Sequence, residues 1–235
     1  MVFGARLSFV EQARDPRGFV TKFGGQPVWR ASPKWPLSRR FGTKMRFVGQ
    51  IAVKDASPVD APPRWPPQQM AYLFMTDSLV DGVPVPETRS FDGGENAVIL
   101  QPGHAFSGPL CAEAEGPSAV SRTITLGRSS PTSQPVIFTA RLEPREDPEF
   151  VDEKRYLRMA ATEWQEYGAA VLGSKLGGTP AFRAGDAFPY GDPTWRLLAQ
   201  LRSLNAPFWL DFGYNGTGYV FVNRHLTSAR FCWQE

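Results

Sequence analysis

The stretch KFGGQPVWRASPKWPLSRRFGTKMRFVGQIA at 22–52 recurs in outline as KLGGTPAFRAGDAFPYGDPTWRLLAQLRS at 175–203. Each opens Lys-apolar-Gly-Gly-polar-Pro-apolar-aromatic-Arg-Ala. Lys22, Gly24, Gly25, Pro27, Trp29 and Arg30 answer to Lys175, Gly177, Gly178, Pro180, Phe182 and Arg183. An aromatic-Pro pair follows (Trp35-Pro36, Phe188-Pro189), then an apolar run closed by glutamine, FVGQI at 47–51 and LLAQL at 197–201. Beyond it each copy has an aromatic strand, MAYLFMTDSL at 70–79 and TGYVFVNRHL at 217–226. Landmarks of this kind in unchanged order and at nearly constant spacing mark an internal duplication.

Paired glycines before proline allow a backbone that a Cβ would forbid, or the close approach of another chain. The proline then forces an extended entry to the aromatic, so Trp29 and Phe182 are expected to anchor the loop against a sheet. Gln50 and Gln200 lie in apolar runs, and a buried amide needs partners, which the neighbouring loop backbone can supply. The expectation is that each glutamine pins its own loop, with ligand contact as the alternative. Gly24, Gly25, Pro27, Trp29, Gln50, Gly177, Gly178, Pro180 and Gln200 are the candidate binding positions.

Between the copies, ENAVILQPG at 95–103, RTITLGR at 122–128 and QPVIFTARLE at 134–143 read as strands, β-branched and bounded by Gly and Pro. EDPEFVDEKRYLRMAATEWQEYGAAVLG then reads as a helix, with Asp147 as N-cap, Pro148 at the first position and Gly173 at the stop. Asn215-Gly216 reads as a hairpin turn between WLDFGY and YVFVNR. The stretches 55–68 and 80–94 are loops. The class is therefore mainly β (α+β), an internally duplicated antiparallel sheet module with one principal helix between the halves. One domain is expected over 1–235, with pseudo-repeats at about 19–80 and 172–235 joined by the strand-and-helix segment 81–171.

With 22 Pro and 22 Gly in 235 residues, turns and short strands outweigh long helices. No apolar run approaches the length of a membrane span, and the N-terminus lacks a signal peptide's apolar centre. Two cysteines, Cys111 and Cys232, do not make a disulfide framework, so a cytoplasmic address with reduced thiols is expected. Residues 1–60 hold eleven Lys/Arg against four Asp/Glu, and residues 143–166 hold eight acidic against four basic. This reads either as two complementary polar surfaces or as a basic half that receives an acidic partner. Arg30, Lys34, Arg39, Arg40, Lys44 and Arg46 interleave with Trp29, Trp35 and Phe41, a pattern that can serve a single nucleic-acid strand. Net charge +3 is mild for that role, and the aromatics read better as core anchors.

Catalytic candidates are few. His104 and His225 stand alone, outside any metal-ligand spacing, and nothing local supports a nucleophilic Cys-His pair of Cys111 or Cys232 with either histidine. Asp186, Asp192 and Asp211 are read as solvated loop carboxylates. No cofactor, metal site or catalytic residue is expected.

KFGGQPVW … WP … KMRFVGQI … AYLFM, then KLGGTPAF … LLAQL … GTGYVFV and a closing Phe231–Gln234, resembles the YwqG-like bacterial family from about residue 19 onward. That family is in turn similar to the C-terminal domain of programmed-cell-death-2 proteins. The resemblance implies a duplicated β module without established catalytic residues. It also implies a chaperone, adaptor or immunity role with a protein partner, since eukaryotic relatives are thought to serve a ribosomal protein and some bacterial ones neighbour toxin genes. The alternatives kept beside it are a small-ligand protein or enzyme with a pocket between the halves, and single-strand nucleic-acid binding.

Overall fold

A computed structural model of the chain describes residues 1–57, 65–103, 106–124 and 132–235. Ten strands form one sheet: β1 Val2–Glu11, β2 Lys22–Gly24, β3 Arg46–Ala52, β4 Met70–Met75, β5 Asn96–Gln101, β6 Ile137–Asp147, β7 Lys175–Gly177, β8 Arg196–Arg202, β9 Thr217–Val222 and β10 Ala229–Gln234. Their spatial order is β10-β9-β8-β7-β1-β6-β2-β3-β4-β5, antiparallel throughout.

The order reveals how the copies join. β1 pairs with β6 along its length, from Val2 opposite Asp147 to Glu11 opposite Phe138. On its far side β1 takes β7 of the second copy, Gly4 facing Gly177, while β6 takes β2 of the first, Ile137 facing Gly24. Gly4 and Ile137 are thus equivalent, and counting along both strands makes Ser8 the equivalent of Arg141, which it faces. A pseudo-two-fold axis therefore passes through that pair. Each copy is five strands, and its leading strand is hydrogen-bonded to the Gly-Gly strand of the other. Even the bulges repeat, between Phe47 and Gly49 in β3 and between Leu197 and Ala199 in β8.

The sheet curls until its edges, β5 and β10, lie against each other, nearly closing a barrel. Trp233 Nε1 donates to Thr88 Oγ1 across this seam (3.3 Å), and the Arg89 guanidinium lies 4.4 Å over the Trp233 ring. Closure hides the edge groups that would otherwise invite an added strand. Inside, Leu7, Phe23, Leu73, Leu176, Leu198, Val220 and Phe231 build one core from both copies. Outside, the loop after each Gly-Gly folds over its own copy. Trp29 and Trp35 cover Tyr72 and Phe74, and Phe182 and Phe188 cover Tyr219 and Phe221. Burial on both faces explains why β4 and β9 read as continuous apolar runs rather than alternating ones.

Several local expectations change. Asp147 ends β6 instead of capping a helix, because its carboxylate is committed to a buried lysine. The helical region is a single turn, α1 Glu153–Tyr156, capped by Asp152, and the principal helix α2 Ala161–Val171. Only Val171 of α2 is buried, and Trp164 is exposed. The strand expected over 122–128 runs from Ser121 to Ile124, and its remainder lies outside the described residues. Asn215 does turn the chain into β9 with φ +57°, but no strand precedes it. Phe208, Leu210 and Phe212 instead plug the core, so this segment cannot pair beside β9. No described helix is long and apolar enough to cross a membrane.

A test follows from the glycine corners. Gly178 has φ +75°, and a Cβ there would fall on the Asp147 carboxylate, whereas Gly42 has φ +66° with nothing within 4 Å. Gly42→Ala should cost about 1 kcal/mol, the left-handed backbone alone. Gly178→Ala should cost about 3 kcal/mol in urea unfolding, since the clash adds to the strain. Equal losses would contradict the packing of the corner.

Candidate functional site

In each copy the Gly-Gly corner wraps a buried lysine. Lys22 and Lys175 are both 0% exposed. Lys22 donates to the Asp15 carboxylate and to Pro16 O (3.1 Å). Lys175 donates to Asp147 (2.6 Å), Val171 O (2.8 Å) and Thr179 O. The same aspartates receive the backbone just past the glycines, Gln26 N at 2.8 Å and Thr179 N at 3.0 Å. Arg145 Nε, 2.6 Å away, also neutralises Asp147. Desolvation pulls the Lys175 ammonium down to about 8, and Asp147 opposes that fall. A carboxylate against Gly25 or Gly178 leaves no room for a side chain, which is why both positions are glycine.

Beyond the corner, three successive strands each hand one polar side chain to the loop. Gln50 Oε1 accepts from Val28 N (2.8 Å) while its amide donates to Val20 O (2.9 Å). The Tyr72 hydroxyl accepts from Arg30 N and donates to Val28 O, both at 2.7 Å. Gln101 accepts from Ala31 N and donates to Ser32 O. The second copy repeats the set. Gln200 accepts from Ala181 N and donates to Gly173 O, Tyr219 donates to Ala181 O, and Gln234 accepts from Arg183 N and donates to Gly185 O. Burial pushes both phenols up and keeps them neutral.

The candidate positions therefore fall into two separate clusters. Gly24, Gly25, Pro27, Trp29 and Gln50 meet in the first copy, and Gly177, Gly178, Pro180 and Gln200 in the second. Gln50 and Gln200 spend their amides on the local backbone, and Trp29 Nε1 donates to Ala114 O (2.8 Å). Sequence reading missed the tyrosine and the second glutamine of each brace, although Gln101 and Gln234 both end an apolar run at equivalent places.

Open space lies along β1 where it meets the second copy. An open groove of about 540 Å³ is lined by Arg6 and Ser8 of β1, Leu172 after α2, Arg202 at the end of β8, and Asn205 and Pro207 beyond it. Among the described residues neither arginine forms an ion pair, and Arg202 Nε is buried without an acceptor. The first copy has Ala52 and Asp55 at the places of Arg202 and Asn205, and Thr21 closes on Asp55 there (2.7 Å). A second cavity, of about 320 Å³, lies further along β1 beside Gly177, Gly178 and Pro180. The second cavity is bordered by the predicted positions Gly177, Gly178 and Pro180, whereas no sequence motif announced the first groove.

The N-terminal cations are largely engaged. Arg46 pairs with Asp77, Arg40 with Glu87 and Lys44 with Glu113. Trp35 is fully buried, and Trp29 packs on Tyr72, so these rings offer no open stacking platform. Cys232 lies in the second outer core, while His225 is exposed and accepts from Arg224 Nε (2.9 Å). His104 lies outside the described residues. Asp192 accepts from Thr194, Asp211 accepts from Ser78, and Asp186 stands near Glu153. The three carboxylates serve different local contacts. No group of three potential metal ligands occurs among the described residues.

The Cys232 thiol gives a pH signature. Burial raises it from 9.0 to about 12. Below pH 9 folded and unfolded chains both keep the proton. Above it the unfolded chain loses the proton first, so stability falls between about 9 and 12, by up to about 1.4 kcal/mol per pH unit. Urea midpoints from pH 8 to 10.5 should therefore fall more steeply for the wild type than for Cys232→Ala. Parallel profiles would show that the thiol is not desolvated.

No curated protein matches the chain. A family model described as a domain of unknown function, DUF1963, matches residues 21–231, from the first Gly-Gly corner into β10, and the chain belongs to that family.

Proposed function

We propose that the chain is a non-catalytic protein-binding module of chaperone, adaptor or immunity type, and that it holds an acidic segment of its partner in the groove beside β1. The observation that carries this reading is the pair Arg6 and Arg202, two guanidinium groups in one open groove that form no ion pair among the described residues. An extended acidic segment would supply the missing charge, and the exposed Leu172 on the rim offers apolar contact. The sealed seam between β5 and β10 argues against strand addition there and in favour of side-chain capture.

The resemblance to YwqG-like and programmed-cell-death-2 proteins supports a partner-binding role. A cytoplasmic setting suits it as well, with Cys111 and Cys232 both free. Closure of the first copy's equivalent site by Thr21 and Asp55 limits the reading to one docking surface per chain.

Mass spectrometry of proteins retained by the tagged chain in its own host tests the proposal. The wild type should retain one protein with an acidic segment, and Arg6→Glu with Arg202→Glu should reduce its retention at least tenfold at unchanged melting temperature. Equal retention by the doubly reversed chain would overturn the groove as the docking surface. Failure of the wild type to retain a specific protein would overturn the module itself.

A further inference from the structure

We propose that the cavity beside the second Gly-Gly corner binds a small aromatic carboxylate, with Arg196 receiving the carboxylate. The duplication supplies the comparison. Arg196 opens β8 as Arg46 opens β3, each four residues before the glutamine of its copy. In the first copy Arg46 is fully engaged. It donates to Asp77 (2.6 Å) through Nη1 and to Ser118 O through Nε and Nη2 (3.1 and 2.8 Å).

In the second copy the acid is gone. Arg224 stands two residues past β9 as Asp77 stands two past β4, so a cation occupies the place of the counter-ion. Arg196 keeps one long contact, from Nη2 to Arg224 O at 3.4 Å. Its Nε is buried with no acceptor, and among the described residues it has no ion pair. A half-buried guanidinium stays charged, and a missing partner leaves its desolvation uncompensated.

The surroundings define the rest of the ligand. The cavity of about 320 Å³ is walled by Trp65, Phe150, Phe188, Trp195 and Pro180, with no acidic side chain lining it among the described residues. The Arg196 guanidinium lies 4.6 Å over the Trp65 ring, which fixes its plane. That volume is at the lower end of small-molecule sites and suits one ring system with a short acidic arm. Val2, Phe3, Ala56 and Trp65 come from the first copy, and Phe150, Pro180, Phe188 and Trp195 from the second, so the cavity is a joint between halves. It is separate from the groove of Arg6 and Arg202, and its occupancy does not depend on the protein partner.

Calorimetric titration with indole-3-acetate and benzoate, and with indole-3-acetamide as the neutral counterpart, tests the site on the full chain. Saturable binding of at least one acid is expected, with the amide at least tenfold weaker than indole-3-acetate. Arg196→Gln should weaken the acid at least tenfold. Arg224→Asp restores the internal counter-ion of the first copy and should displace the ligand to the same extent while keeping or raising the melting temperature. No saturable binding of either acid, equal affinity for acid and amide, or unchanged affinity in a folded Arg224→Asp chain would each overturn the proposal.

Discussion

The antiparallel pairing of β1 with β6 is the constraint on which the rest of the molecule depends. Each strand belongs to one copy and completes the other, since β1 carries the second copy's Gly-Gly strand and β6 carries the first's. Neither copy can keep its corner without the partner's leading strand. A shared core, with Leu7 and Phe138 contributed from these strands, follows directly from that exchange. Two repeats that merely abutted could open along their interface, as separate domains do. Here the interface is hydrogen-bonded backbone.

The buried lysine at each corner is the local device that sets the geometry. A lone ammonium removed from water is costly, and each one is compensated by an aspartate that also takes a backbone N–H beyond the glycines. The turn, the charge pair and the lack of a Cβ thus depend on one another. From there the loop crosses the outer face of its copy, held by a glutamine, a tyrosine and a second glutamine from three neighbouring strands. Polar groups that would be unpaired under the aromatic cover are satisfied, so the loop can be buried without regular structure.

The duplication was legible because its signals are local. Gly-Gly-Pro-aromatic requires particular backbone angles, and a glutamine amid apolar residues declares a buried amide. The true extent of each copy was not legible. β1 is half exposed, and its partner β6 lies more than a hundred residues away, so nothing in VFGARLSFVE announces the crossing. Asp147 looked like a helix cap because Asp-Pro before a charged run has that local form, while its actual partner, Lys175, is reachable only through the fold. The basic N-terminal half finds acids at Asp77, Glu87 and Glu113, outside the acidic stretch 143–166 that composition set against it. The unmatched arginines, Arg6, Arg202 and Arg196, could not be told from the matched ones by composition.

Symmetry thus serves architecture, and departures from it are where binding is proposed. Where the first copy closes with Thr21–Asp55 and Arg46–Asp77, the second leaves guanidinium groups facing open space. The two copies stand or fall together. Amide hydrogen exchange in increasing, sub-denaturing urea tests that dependence directly. Amides in β4 of the first copy and β9 of the second should converge on the same opening free energy as those of β1 and β6. Exchange of either copy at a distinctly lower free energy, with β1 and β6 still protected, would contradict the account.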